Sequence, residues 1–136
     1  LWQVYTQYFK LIEQAATSGL FHSLSHPDVI KVFGHAPTES LTDLYGQTLE
    51  AIAGVKGLCI EVSTAGLRKP VGRMYPEPEF LRLAKAQGVP VTLASDAHYP
   101  EDVGKDYQQA VLMLNEAGYQ SITRFSGGQG EQVPLG

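Results

Sequence analysis

The segment Val89-Pro90-Val91-Thr92-Leu93-Ala94-Ser95-Asp96-Ala97-His98 decides the reading of this chain. Val89 to Ala94 is short, mostly apolar and preceded by Gly88, which reads as a buried strand. The strand empties into Ser-Asp-Ala-His, four residues dense in reactive groups. The same pattern occurs twice upstream. Leu20 to Leu24 runs into Ser25-His26-Pro27-Asp28, and Leu58-Cys59-Ile60-Glu61-Val62 runs into the turn-prone Ser63-Thr64-Ala65-Gly66.

Helical patterns separate these strands. From Leu1 to Ser18, apolar residues at Leu1, Val4, Tyr5, Tyr8, Leu11, Ile12 and Ala15 recur at helical spacing, and Gly19 supplies the stop. After Pro37, Thr38 is expected to cap a helix with the stripe Leu41, Leu44, Tyr45, Thr48, Leu49 and Ile52, closed by Gly54 and Gly57. Pro76 or Pro78 opens a third helix through Phe80, Leu81, Leu83 and Ala84 to Gly88, proline being pre-organised for a first turn. A last helix is expected over about Asp102 to Ala117, then a final strand from Tyr119 to Phe125 and a glycine-rich tail. Strands alternating with helices of this length imply an α/β fold built on a parallel sheet with right-handed crossovers.

Composition narrows the function classes. The 136 residues are 43% hydrophobic and 18% charged, enough for one domain with a core of its own. The single cysteine excludes an internal disulfide framework and a Cys-rich zinc finger, and it fits a reducing cytoplasm. No apolar run approaches the roughly 20 residues that span a bilayer. A net charge of −4 offers no electrostatic footprint for nucleic acid. The expectation is a cytoplasmic chain that handles small molecules, with neither nucleic acid nor membrane as partner.

In parallel α/β folds functional groups collect at the carboxyl ends of the strands. Here those ends deliver His26 and Asp28, then Glu61 with Arg68 shortly after, then Asp96 and His98. An Asp-x-His pair in extended backbone puts both side chains on one side, so both can reach one ion. Imidazole with carboxylate suits Zn, Mn or Fe better than Ca or Mg. Each residue also has a plainer reading: Asp28 as the N-cap of the turn Val29 to Phe33, and Asp96 and His98 as a turn and cap ahead of Pro100. Glu61 lies inside an apolar run and therefore needs a partner. Arg68 suits a bidentate grip on phosphate. His22 and His35 read as structural or surface residues, and Cys59 as an inert buried thiol.

Four strings carry a family resemblance: Ser-His-Pro-Asp at 25–28, Ile-Glu-Val-Ser-Thr-Ala-Gly-Leu-Arg-Lys at 60–69, Met-Tyr-Pro-Glu-Pro-Glu-Phe-Leu at 74–81, and Val-Thr-Leu-Ala-Ser-Asp-Ala-His at 91–98. In order and spacing they resemble the C-terminal half of the PHP (polymerase and histidinol phosphatase) superfamily, histidinol-phosphatase type. The resemblance implies that residues 1–136 are the C-terminal portion of a distorted (β/α)7 TIM-like barrel that hydrolyses a phosphomonoester with several divalent metal ions. Carried over by position, His26, Asp96 and His98 are implied metal ligands, Asp96 and His98 are implied catalytic residues, and Arg68 is the implied anchor of the substrate phosphate.

The family's N-terminal His-x-His motif is absent from this sequence. Three ligands cannot fill a multinuclear site, so the expectation is that this chain is the second half of a longer protein. It is further expected that a half barrel exposes apolar sheet edges and self-associates. The resemblance implies hydrolysis of histidinol phosphate in histidine biosynthesis. The alternatives are a PHP phosphoesterase acting on nucleotides or nucleic-acid ends, and a non-catalytic PHP-like module.

Overall fold

The computed structural model describes all 136 residues. Helix α1 (Trp2–Thr17) leads to β1 (Ser23–Leu24), α2 (Thr42–Ala53), β2 (Cys59–Ser63), α3 (Pro78–Ala86), β3 (Val91–Ala94) and α4 (Tyr107–Glu116). Strands β4 (Ser121–Ser126) and β5 (Gln129–Pro134) follow, and short 3₁₀ turns occupy Val29–Lys31, Thr64–Arg68 and Pro100–Asp102. The first three strands form one parallel sheet in the order β1-β2-β3, with Leu24 opposite Ile60 and Ile60 opposite Val91. The parallel α/β arrangement expected from the sequence is present. The sheet has three strands and does not close on itself.

Strand periodicity gives this sheet two unlike faces. Ile60, Val62 and Val91 join buried side chains of all four helices in one apolar cluster. Phe9, Tyr45 and Phe80 knit α1, α2 and α3 together, with ring centroids 5.1–6.2 Å apart, mostly edge to face. The alternate residues of β2, Cys59, Glu61 and Ser63, stand on the opposite face. The placement of Glu61 inside an apolar run follows: it shares the strand with the core residues and not their side of the sheet.

Several boundaries differ from the sequence expectations. Only Ser23 and Leu24 pair as a strand, and Leu20 and Phe21 before them are exposed. Helix α2 starts at Thr42, not Thr38, because the Ser40 hydroxyl accepts the Thr42 N–H at 3.3 Å and holds the preceding residues in a turn. Helix α4 starts at Tyr107, since Gly104 (φ +72°) and Asp106 (φ +62°) leave helical backbone after the Pro100–Asp102 turn. The final strand does not extend the parallel sheet. Gly127 and Gly128, both at positive φ, make a two-residue hairpin turn, so β4 pairs antiparallel with β5 and the expected tail is a strand. Its tie to β3 is the Thr92 hydroxyl donating to the Thr123 carbonyl at 2.9 Å.

Asp28 does not cap the turn that follows it. It is 1% exposed and belongs to a buried ionic knot. Lys31 Nζ lies 3.1 Å from Asp28 Oδ2 and 2.8 Å from Glu77 Oε1, and donates to the Met74 carbonyl at 2.8 Å. The Glu77 N–H donates to Asp28 Oδ2 at 2.8 Å, and Arg73 Nε closes on Glu77 Oε1 at 2.9 Å. The knot fastens the loop after β1 to the start of α3. Burial works to raise the pKa of Glu77, but its hydrogen bonds and charge pairing with Lys31 and Arg73 outweigh that and hold it below its ordinary 4.5. Burial pushes Asp28 the other way, against the pull of Lys31.

Removing one partner of a buried ion pair strands the other charge, so Lys31→Met is expected to cost about 3 kcal/mol or more in chemical denaturation. Because the folded pKa of Glu77 is depressed, its contribution is fully present above 4.5 and is lost as pH falls through the folded value. Glu77→Gln is therefore expected to lower the thermal midpoint at pH 7, with the gap to the parent closing as the pH drops below 4.5. A gap that stays constant with pH would contradict this assignment.

Candidate functional site

The carboxyl ends of β1, β2 and β3 each hand over to a shaped turn. After β1, His26 sits at φ +28°, a left-handed conformation that a non-glycine residue adopts only under local constraint. The Tyr8 hydroxyl donating to the Pro27 carbonyl at 2.9 Å and the Asp28 knot beyond it supply that constraint. After β2, the Ser63 hydroxyl accepts the Ala65 N–H at 3.3 Å and starts the 3₁₀ turn that carries Arg68. The Arg73–Tyr75 segment crosses this turn closely: a Cβ at Gly66 would lie 1.9 Å from the Arg73 carbonyl oxygen. Glycine is required there, and the crossing is fixed by paired backbone bonds between Ser63 and Tyr75 at 2.8 and 3.0 Å.

After β3, Asp96 adopts φ +49°. The strand ends at Ala94 and Asp96 itself is not extended, so the strand alternation expected to align Asp96 with His98 does not operate. The two are brought together instead by the His98 ring, whose Nδ1 lies 2.9 Å from the Asp96 carbonyl oxygen, leaving Nε2 on the far side of the ring. Asp96 and His98 line a cavity of about 310 Å³ with Arg68, Lys69 and Asp102. Arg68 Nη2 donates to the Ser95 carbonyl at 2.6 Å and Nε pairs with Asp102 Oδ2 at 3.6 Å, while Nη1 is buried without a partner.

His26 does not line this cavity. It neighbours Glu61 and Tyr75, with the Tyr75 ring 5.9 Å away edge to face. Burial pushes the Glu61 carboxyl up, with His26 pulling it down and Asp96 adding to the rise, so these three groups share one electrostatic neighbourhood. His26 Nδ1 and the Tyr75 hydroxyl are both buried without hydrogen-bond partners, atoms of the kind that a ligand or a metal's surroundings would satisfy. Across the chain, however, no three His, Cys, Asp or Glu side chains gather closely enough to hold a metal ion. Its own donors do not complete a metal centre.

Sequence reasoning singled out His26, Arg68, Asp96 and His98; the last three share one cavity, and His26, expected with them as a metal ligand, does not line it. It missed Asp102, read as the first turn of a helix, and Tyr75 and Lys31, which had no local signal. His22 and His35 are exposed. Cys59 is a free buried thiol whose pKa burial raises, in keeping with an inert role.

The left-handed backbone at Asp96 is stored strain, since a non-glycine residue there costs about 1 kcal/mol or more. Asp96→Gly is accordingly expected to be about 1 kcal/mol more stable than Asp96→Ala in urea unfolding. Equal stabilities would mean that the turn relaxes when the carboxylate is removed.

No protein-family model matches the chain. Among curated proteins it is similar to a probable histidinol-phosphatase of Deinococcus radiodurans, 40% identical over 120 residues that cover 88% of this chain and 45% of that protein. It is similar to the histidinol-phosphatase of Bacillus subtilis, 32% identical over 114 residues covering 77% of this chain and 42% of that protein. A probable histidinol-phosphatase of Schizosaccharomyces pombe is 30% identical over 95 residues, covering 70% of this chain and 30% of that protein. The chain thus resembles proteins that bear one name, histidinol-phosphatase, and spans less than half the length of each of them.

Proposed function

We propose that this chain forms part of a metal-dependent phosphatase of the PHP type that hydrolyses histidinol phosphate to histidinol and phosphate in histidine biosynthesis. The observation that carries this reading is the meeting of Arg68, Asp96 and His98 around one cavity at the strand ends. Similarity over 88% of the chain to a protein named probable histidinol-phosphatase supports the choice of substrate. The net charge of −4 favours a small phosphomonoester over a nucleic-acid end.

In this reading Arg68 binds the phosphoryl oxygens, a role suited to a planar guanidinium whose fork matches an oxyanion. Asp96 and His98 stand beside it, and the contact of His98 Nδ1 with the Asp96 carbonyl fixes the ring so that Nε2 is the free nitrogen. Divalent ions of the Zn, Mn or Fe class complete the proposal. His26, Asp96 and His98 are the donors this chain would contribute, and the remainder of the set must come from outside it.

The decisive assay is phosphate release from histidinol phosphate by a full-length protein carrying this sequence, with Mn or Zn added. Activity is expected, and Arg68→Ala is expected to raise KM about tenfold or more by removing a charged hydrogen-bond donor. The 136-residue chain alone is expected to bind metal weakly and to turn over little substrate. No release by the full-length protein under these conditions overturns the assignment.

A further inference from the structure

The arginine at this site is held by the loop that carries Asp96 and His98. Of its three nitrogens, Nη2 donates to the Ser95 carbonyl at 2.6 Å, at the start of that loop, and Nε pairs with Asp102 at 3.6 Å, near its end. The Ser95 hydroxyl closes the same loop by accepting the Gly104 N–H at 3.2 Å. A guanidinium is planar, so holding Nε and Nη2 fixes the orientation of the whole group, whose Nη1 is buried without a protein partner. Asp102 is itself well fixed. Its side chain is 14% exposed, its N–H donates to the Tyr99 carbonyl at 3.0 Å, and its other carboxylate oxygen lies 3.5 Å from Lys105 Nζ.

We propose that Asp102 is a positioning residue: it holds the Arg68 guanidinium at the cavity it lines with Asp96 and His98, where a phosphoryl oxyanion would bind. The proposal rests on the reading of Arg68 as a phosphate anchor. Asp102 lines the same cavity, so it is also a negative charge close to the place an anion would occupy. Its two effects have opposite signs. As a bare charge it repels phosphate, and its removal tightens binding. As a positioner it spares the arginine side chain the entropy of being ordered when the anion binds, and its removal weakens binding.

The test is calorimetric titration, with inorganic phosphate, of a full-length protein carrying this sequence with Mn or Zn added, comparing the parent, Asp102→Ala and Asp102→Asn. Weakening of about tenfold in Asp102→Ala is expected, from loss of the ion pair that orders the guanidinium. Asp102→Asn, which keeps an oxygen acceptor facing Nε, is expected to stay within about threefold of the parent. The Arg68 Nε–H resonance supplies a second readout. It is expected to stay sharp in Asp102→Asn and to broaden or move to the free-arginine position in Asp102→Ala. If Asp102→Ala does not fold, the Asp102→Asn titration and its Nε–H signal carry the comparison alone, and loss of that signal with unchanged phosphate affinity overturns the proposal. Equal or tighter phosphate binding by Asp102→Ala, with the parent binding normally, overturns it while leaving the phosphate reading intact. Failure of the parent to bind phosphate removes the phosphate reading and this proposal together.

Discussion

The buried ammonium of Lys31 is the constraint on which the strand-end architecture rests. It sits 5.4 Å from the centroid of the Tyr75 ring, is gripped by Asp28 and Glu77, and donates to the Met74 carbonyl. A charge only 4% exposed is tolerable because each side of it meets a carboxylate, a carbonyl or a ring face. That arrangement fastens the His26 loop to the segment entering α3. From Tyr75 the backbone pairs with Ser63, and the turn that begins there delivers Arg68. A single buried cation thus connects the ends of β1 and β2.

The site end of the sheet depends on a second arrangement, the division of strand faces. Alternation commits Ile60 and Val62 to the helix-packed core and leaves Glu61 on the other side, near His26 and Asp96. The left-handed backbones at His26 and Asp96 lie at the ends of β1 and β3. Such conformations are stored strain, and both fall at the turns where the reactive side chains lie. Arg68 then reaches the Ser95 carbonyl and draws the second and third strand ends together.

Much of this was legible in the chain itself. The parallel strand-helix alternation follows from apolar periodicity, and Pro78 and the positive-φ Gly88 mark the bounds of α3. That His26, Arg68, Asp96 and His98 stand at one end of the sheet was legible because parallel strands point the same way and their carboxyl ends must be neighbours, although only the last three line one cavity. Asp102 was not, since an acidic residue after a proline looks the same whether it opens a helix or pairs with an arginine 34 positions earlier. Asp28 misled for a related reason: an aspartate before a short turn is a common cap, and only the arrival of Lys31 and the Glu77 N–H makes it a buried ion-pair member. The closing hairpin was missed because Gly127-Gly128 reads as a loose tail until the strands on either side are seen to pair.

By itself, the sequence determined the order and type of the main elements and which residues stand at the strand ends, because helix and strand periods and glycine and proline stops act over a few neighbouring positions. The tertiary structure alone decided who meets whom: Lys31 with Glu77, Arg68 with Ser95 and Asp102, and β4 with β5 and not the parallel sheet. Those contacts join residues distant in the chain, and their energy comes from burial and from charges taken out of water together. No local pattern records either quantity, since both exist only once the chain has closed on itself.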